Sequence, residues 1–488
     1  MRSALTSTSN GGAPSRLRPA RPARRLALGV FLAGCLLLAG CAHYVVNDPL
    51  PAVRSGPVYR FDEKETARNT NSLFICLVFS GGGTRAAALS YGVLEMLRET
   101  RIVWKGVEKS LLEEVDCISS ISGGSFTAAY YGLFGERIFT DFRPRFLEVD
   151  VQDALIRRAV NPLNWFRLAS PYFSRIDLAA EYYHEKVFEK RTFTDLARRG
   201  TRPFVILNAT NLANGERFEF TQEQFDFLVS DLSTYPVARA VAASSAFPFL
   251  LSPLSLKNYP HPADFRLPAD YEQGLLDYDT NRRRYYWARN RAMYRDDQDL
   301  PYLHLMDGGL SDNIGLRPLE AAWRRTSGFI RKLISDGAIE KFVIIVVNAR
   351  PDSGETISKK ESPPGLGVVA VKTATIAMDN YSFETIEVMK ELRDMRERAQ
   401  RNIAACRQRL AACPSAPPLP GFAADLDPYV IEVNFEAIPD PKRRKEFLEI
   451  PTSFTLTPEQ VDRLIRIGPE LLRAEPNFKE LMESLKTP

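Results

Sequence analysis

A serine at the end of an apolar run, with two glycines directly after it, is the first feature of this chain that could do chemistry. It is Ser122, in Ser120-Ile121-Ser122-Gly123-Gly124. A serine hydroxyl is a weak nucleophile until it is exposed, aimed and deprotonated by a base. A tight strand-to-helix turn does the aiming, and small neighbours permit the sharp backbone. The pattern is that of G-x-S-x-G, with Ser120 in place of the first glycine. The start of the following helix would add partial positive charge near a developing anion. Ser/Gly turns before helices are common, so the turn alone decides nothing.

Gly81-Gly82-Gly83, upstream, supplies a second requirement. Acyl transfer needs backbone N–H donors directed at an oxyanion, and three glycines let the main chain approach without Cβ interference. A competing reading is a dinucleotide loop, because Gly81-x-Gly83-x-x-Ala86 fits G-x-G-x-x-G/A. That reading needs a second strand ending in an acid about twenty residues on. The corresponding stretch, Thr100-Arg-Ile-Val-Trp-Lys105, has no acid at its end. For a base, His43, His184, His261 and His304 all lack a turn context, and His304 alternates with Leu303 and Leu305 as a strand residue would. Asp307 closes an apolar run before Gly308-Gly309. A solvated aspartate, with a pKa of about 3.9, is a poor base for a hydroxyl, but partial burial beside the nucleophile would raise it. Asp-Gly-Gly is also an ordinary turn.

The elements that must position these residues follow from apolar patterning. Ser72 to Phe79 is a continuous apolar run ending at the three glycines, and Ala86 to Arg98 reads as a helix. Leu112 to Ile118 is a second such run, followed by the serine turn and a helix from Phe126 to Phe134. Two strand–turn–helix units in succession imply α/β architecture with a largely parallel sheet. Phe204 to Leu207 and Phe342 to Val347 read as further buried strands, Tyr429 to Phe435 as an edge strand, and about Val368 to Leu410 as a long helix. Thr457-Pro458-Glu459-Gln460 is a capping box that starts another helix. Two segments look inserted: an aromatic-rich helical one at 142–190, and a turn-rich one at 254–300. In the second, Arg282-Arg283-Arg284-Tyr285-Tyr286-Trp287 could meet anionic head groups; the flanking Asp277, Asp279, Asp296 and Asp297 favour a salt-bridged, solvated loop.

The 488 residues carry 64 Lys and Arg against 60 Asp and Glu. Six of those Arg, and no acid, fall in residues 1–40, so the remainder is slightly acidic and nothing in it points to a nucleic-acid partner. The basic stretch to Arg24-Arg25 runs into an apolar one from Leu26 to Leu38, too short for an ordinary transmembrane helix. Leu38-Ala39-Gly40-Cys41 resembles a bacterial lipobox; Leu32-Ala33-Gly34-Cys35 has the same form but leaves a shorter apolar core. Residues 1–40 are therefore expected to be a lipoprotein signal peptide, Cys41 the lipidated residue and 41–71 a tether. With Ala42 after the cysteine, the sorting pattern implies the outer membrane of a Gram-negative envelope. Cys76 and Cys117 read as buried small hydrophobes, and Cys406 and Cys413 invite a local disulfide. No spacing suggests a metal site.

Taken in order, Gly-Gly-Gly-x-Arg, the serine turn and the downstream Asp-Gly-Gly resemble the patatin-like phospholipases. The resemblance covers about residues 72–350. It implies a three-layer α/β/α fold with a central, largely parallel sheet and helical and loop insertions, a Ser-Asp dyad without catalytic histidine, and no cofactor. Ser122 would be the nucleophile and Asp307 the general base, with Gly81, Gly82 and Gly83 forming the oxyanion hole and Arg85 supporting that loop. Ala242 to Pro248 and Asn313 are similar to family stretches and read as scaffold. The substrate would be a phospholipid or another acyl ester, met at a membrane surface through the lipid anchor. Residues 351–488 would form a helical extension with one strand, packed on the core. The sequence departs from Asp-Gly-Gly-Gly-x-Arg-Gly at Ser80 and Ala86, and from the elbow pattern at Ser120. Those departures motivate a rival reading, a non-catalytic envelope lipoprotein that binds lipid or a protein partner.

Overall fold

In the computed structural model, Leu73–Phe79 (β1) is buried at every position because both of its faces are covered. The model describes residues 42–486 apart from 55, 67, 325–327, 352–354, 359–360 and 412–426. The leader, Cys41 and Cys413 lie outside the described residues. The other strands of the central sheet are Val115–Ser120 (β2), Phe204–Asn211 (β3), Arg217–Glu219 (β4), Leu254–Lys257 (β5), Tyr302–Asp307 (β6), Lys341–Asn348 (β7) and Asp427–Asn434 (β8). Their order is β8-β7-β1-β2-β3-β6-β5, with β4 beside β3. From β8 to β3 every neighbour is parallel, whereas β6, β5 and β4 run antiparallel to their partners.

The alternation of side chains along β1 divides the core in two. Leu73, Ile75, Leu77 and Phe79 pack under Gly83–Glu99 (α1), Ser122–Phe134 (α2) and Val237–Ser244 (α3). Phe74, Cys76 and Val78 face the other way, toward Leu319, Leu333 and Ile386, the last on the long helix Leu366–Ala411 (α4). Pro458–Ala474 (α5), started by the capping box at Thr457, lies against α1 on the first side. This is the expected α/β/α sandwich. The C-terminal part completes it, because β8 is the parallel edge strand on β7.

Four expectations need correction. Cys76 and Cys117 are buried, but the register of β1 and β2 sets them opposite each other and they are joined as a disulfide. Residues 42–71 do not hang free as a tether. Asn47, Tyr59 and Asn69 are buried, Asn47 Nδ2 donates to Ser230 Oγ (2.8 Å), and the Tyr59 hydroxyl donates to the Val205 carbonyl (2.8 Å), so polar side chains find partners on the body. The segment 254–300 begins with a strand of the main sheet. Within it, the Arg282 to Trp287 run is helical (Arg282–Ala292), capped by Asn281, with Arg284 paired to Asp270 and Asp277 and Arg283 to Glu320.

One buried polar knot fixes the register of β1 on β2. Ladder pairing skips Asp116, whose carboxylate accepts instead from the Ile75 amide (2.7 Å), from Asn69 Nδ2 (2.9 Å) and from Arg202. The Asp116 and Arg202 side chains are both almost fully buried. Removing one partner of such a pair strands the other charge, at a cost of about 3–5 kcal/mol. Arg202→Leu is therefore expected to lower unfolding stability by roughly that amount in urea titration. A loss under about 1 kcal/mol would show that the knot does not set the register.

Candidate active site

Ser122 has φ 46°, in the left-handed region that L residues seldom occupy. β2 ends at Ser120, Ile121 remains extended, and α2 begins at Ser122, so the reversal falls on the serine. Such a backbone costs about 1–3 kcal/mol and persists only where surroundings enforce it. A chain of hydroxyls enforces it here. The Ser122 amide donates to Ser244 Oγ (2.9 Å), Ser244 and Ser125 share a bond (2.9 Å), Ser125 donates to Ser120 (3.1 Å), and Ser120 donates to the Ile206 carbonyl (3.3 Å). Ser120 thus bonds within the turn it might have opened. Ser244, on α3, lies in the Ala242 to Pro248 stretch read as scaffold, but nothing in its neighbourhood says which amide it will meet.

The glycine loop lies directly against this elbow. A Cβ on Gly123 would run into the Gly83 carbonyl, so only glycine lets the two turns touch. Gly82, at φ 140°, adopts a backbone that other residues avoid. The three amides are not equivalent. Gly81 N–H donates to the Asn313 carbonyl (3.0 Å) and is already committed, whereas Gly82 and Gly83 have no protein acceptor among the described residues. The donor set expected from sequence therefore narrows to two. Arg85 is buried beneath the loop; its guanidinium donates to Ala349 O (2.8 Å), Ile450 O (2.5 Å) and Thr452 Oγ1 (2.8 Å). The neighbouring Thr84 amide donates to Ser453 O (2.8 Å). Residues 450–453 hold the loop mainly through carbonyls, which carry no sequence signature.

Asp307 arrives by strand register. β3 continues past the end of β2, and β6 pairs with that overhang in the opposite direction, so β6 ends beside Ala209. The Asp307 amide donates to Ala246 O (3.0 Å), within the Ala242 to Pro248 stretch, and its carboxylate accepts from Gly309 N (2.8 Å), with the Ser122 side chain close enough to favour its charged form. Asp307 is 1% exposed and Ser122 8%. The terminal methyl of Met378, on α4, sits against Gly309 and helps exclude water. Burial pushes the Asp307 carboxyl up to about 7, outweighing the two hydrogen bonds that favour the charged form. Three histidines are engaged elsewhere, His304 with Ser255 (3.0 Å), His261 with Asp297 (3.2 Å) and His43 stacked on Tyr172, while His184 lies on the helix Arg175–Lys186. Among the described residues no cluster of His, Cys, Asp or Glu could hold a metal ion.

A family model described as patatin-like phospholipase matches residues 77–323, half of the chain, which includes the elbow, the glycine loop and Asp307. The chain belongs to the patatin-like phospholipase family. Comparison with curated protein sequences gives no match. Among solved structures, human GIVD cytosolic phospholipase A2 is similar at 13% identity and TM-score 0.38, over 94% of this chain and 66% of that one. The same human protein in complex with methyl gamma-linolenyl fluorophosphonate and terbium chloride gives 15% and 0.37, over 86% and 59%. VipD from Legionella pneumophila gives 13% and 0.28, over 85% and 67%. The chain thus spans less than two thirds of the human phospholipase chains.

This patatin-like chain also accommodates its departure at position 80. Ser80 Oγ accepts from the Ala349 amide (2.9 Å) and donates to Gly81 O (3.1 Å), tying the loop to the end of β7. Two outcomes follow from the site's geometry. Gly123→Ala should slow reaction of Ser122 with a fluorophosphonate by about 100-fold, because the two turns must separate; labelling at the wild-type rate would show that their contact is dispensable. Labelling should also rise with pH along a limb centred near 7, since Asp307 accepts the serine proton only when ionised, and below its raised pKa it is neutral. A limb centred near 4 would mean that burial does not act on this carboxyl.

Proposed function

We propose that this protein is a membrane-anchored serine lipid acyl hydrolase, a phospholipase A or esterase working through a Ser122–Asp307 dyad. The observation that carries the proposal is Ser122, held on a left-handed elbow beside a buried carboxyl titrating near neutrality. Ser122 Oγ attacks the ester carbonyl as its proton passes to Asp307, and the carbonyl oxygen gains the negative charge. The amides of Gly82 and Gly83, beside the start of α2, stabilise that oxyanion. The C–O bond to the alcohol then breaks, Asp307 returns the proton to the departing oxygen, and an acyl-serine remains. Water, deprotonated by Asp307, attacks the acyl-serine; the Oγ–C bond breaks, Asp307 returns the proton to Ser122 Oγ, and the fatty acid is released. A neutral-pKa carboxylate does here what an imidazole does in a triad.

The anchor is part of the same proposal. The basic and apolar leader ending in Leu38-Ala39-Gly40-Cys41 supports lipidation of Cys41 and an outer-membrane location in a Gram-negative envelope. The Cys76–Cys117 disulfide is in keeping with an oxidising compartment. No helix among the described residues is long and apolar enough to cross a membrane. Mass spectrometry of the mature N-terminus is expected to find diacylglyceryl-modified Cys41.

Ser122→Ala and Asp307→Asn should each reduce fatty-acid release from phospholipid and short-chain esters by at least about 10³-fold while the urea unfolding midpoint stays near wild type. Comparison of membrane lipids exposed to wild type and to Ser122→Ala would name the substrate. Wild-type turnover by Ser122→Ala would overturn the nucleophile assignment, and a Ser122 inert to fluorophosphonate under varied lipid conditions would overturn the enzyme reading.

A further inference from the structure

We infer that the protein docks its catalytic mouth on the bilayer through one apolar face, formed by Leu163, Trp165, Phe166, Tyr172, Phe249 and Leu250. The inference rests on the lipid-anchored hydrolase reading and adds to it the surface that meets the lipid. Leu163, Trp165 and Phe249 are 78%, 58% and 64% exposed, and the other three residues are also exposed. Leu163, Trp165 and Phe166 belong to the short helix Pro162–Leu168. The Trp165 carbonyl accepts from Ala169 N (2.9 Å), which leads directly into the turn carrying Tyr172. Phe249 is tied to the same region, because Arg175 Nη1 donates to its carbonyl (3.1 Å).

Three observations point to a bilayer as the occupant. The first is where the chain enters. The Ala42 carbonyl accepts from Ser170 Oγ (2.6 Å), and Tyr44 N donates to Tyr172 O (2.7 Å). Ala42, the residue that follows Cys41 in sequence, is therefore held beside the turn that carries Tyr172. An acyl chain there has no slack with which to hold the body away from the membrane. The second is Phe249, whose φ of 71° is an outlier for a bulky residue. The backbone is strained and the aromatic ring is still turned into solvent, an arrangement that water does not reward and an acyl interior does. The third is composition: Trp and Tyr together with aliphatic side chains suit the interfacial zone of a membrane. Charge is a secondary contribution, because Arg167 is paired with Glu181 and Arg158 with Glu185, and Arg175 is spent in part on the Phe249 carbonyl. Insertion of apolar side chains, and not attraction to anionic lipid, is the expected mode.

The face abuts the site through one short segment. Ser244 holds the Ser122 amide, Ala246 O holds the Asp307 amide, and Phe249 and Leu250 follow directly. A membrane that receives this tip lies beside the residues that would attack its lipids.

The test uses the full-length purified protein reconstituted with phosphatidylcholine vesicles whose acyl chains carry bromine, which quenches tryptophan on contact. Quenching is expected in wild type and should be lost in Trp165→Phe. Phe249→Asp with Leu250→Asp should reduce quenching by at least about half and slow hydrolysis of vesicle phospholipid by about tenfold or more, with turnover of a water-soluble short-chain ester unchanged. Circular dichroism checks that the variants remain folded. Unquenched Trp165 in vesicle-bound protein, or vesicle hydrolysis indifferent to the two aspartates, would overturn the docking face. Quenching does not require turnover, so a wild type that bound vesicles through Trp165 yet hydrolysed neither substrate would sink the hydrolase reading and leave the docking face standing.

Discussion

The close contact between Gly123 and the Gly83 carbonyl is the constraint on which the rest of the site depends. Two neighbouring parallel strands, β1 and β2, each end in a turn that feeds a helix, and both turns must occupy the same edge of the sheet. Side chains between them would hold them apart. Glycine at the contact lets a nucleophile from one turn and amide donors from the other face one small volume. Around that contact the protein has to hold two unfavourable backbones, Ser122 at φ 46° and Gly82 at φ 140°. It does so from opposite sides: the hydroxyl chain from Ser244 to Ser120 beneath the elbow, and the Arg85 guanidinium with residues 450–453 beneath the loop.

On the proposed reading, this arrangement would let a carboxylate stand in for histidine. In water an aspartate is almost fully ionised at neutral pH and holds a proton too weakly to share the serine's. Asp307 sits at the end of a strand inside the sheet's edge, covered by Gly309, Met378 and the elbow itself, and its nearest partners are one amide and the serine hydroxyl. No cation is named among the influences on its titration. Asp116, which burial also raises to about 7, has its carboxylate taken up by Arg202, Asn69 and the Ile75 amide and has a structural task, fixing the register of β1 on β2.

The sequence showed residues whose identity is demanded locally. Ser122 and Asp307 each close an apolar run before paired glycines, and Gly81 to Gly83 follow a strand readable from Leu73 to Phe79. That β1, β2, β3 and β7 are buried strands, and that β8 is an edge strand, was likewise legible, because buried parallel strands are apolar throughout, whereas their order in the sheet was not. What stayed hidden depended on distant registers or on backbone atoms. The pairing of Cys76 with Cys117 exists only once β1 lies on β2. The loss of Gly81 as a donor depends on the Asn313 carbonyl, and the loop's attachment to Ser453 on another. The segment from Ala42 looked like a tether because it is polar, yet its Asn and Tyr side chains are partnered by residues far along the chain.

That last difference changes how an anchor would act. A flexible linker of some thirty residues would let the body sample many orientations and hold it tens of ångströms from the membrane. Here the chain is pinned from Ala42 onward: Ala42 to Ser170, Tyr44 to Tyr172, Asn47 to Ser230, and Asp48–Pro49 in a two-strand ladder with Ser230–Asp231. An acyl chain on the preceding residue would then fix orientation as well as proximity. The face presented would be the one next to the point of entry, where the Phe249 tip and the Pro162–Leu168 helix already expose their aromatic side chains. A diacylglyceryl anchor carries two acyl chains and already suffices for stable attachment, so what a second apolar contact beside it adds is a fixed orientation. On this reasoning the short path from Cys41 to the body and the strained, exposed Phe249 belong to one device, because either without the other would leave the elbow pointing in no particular direction.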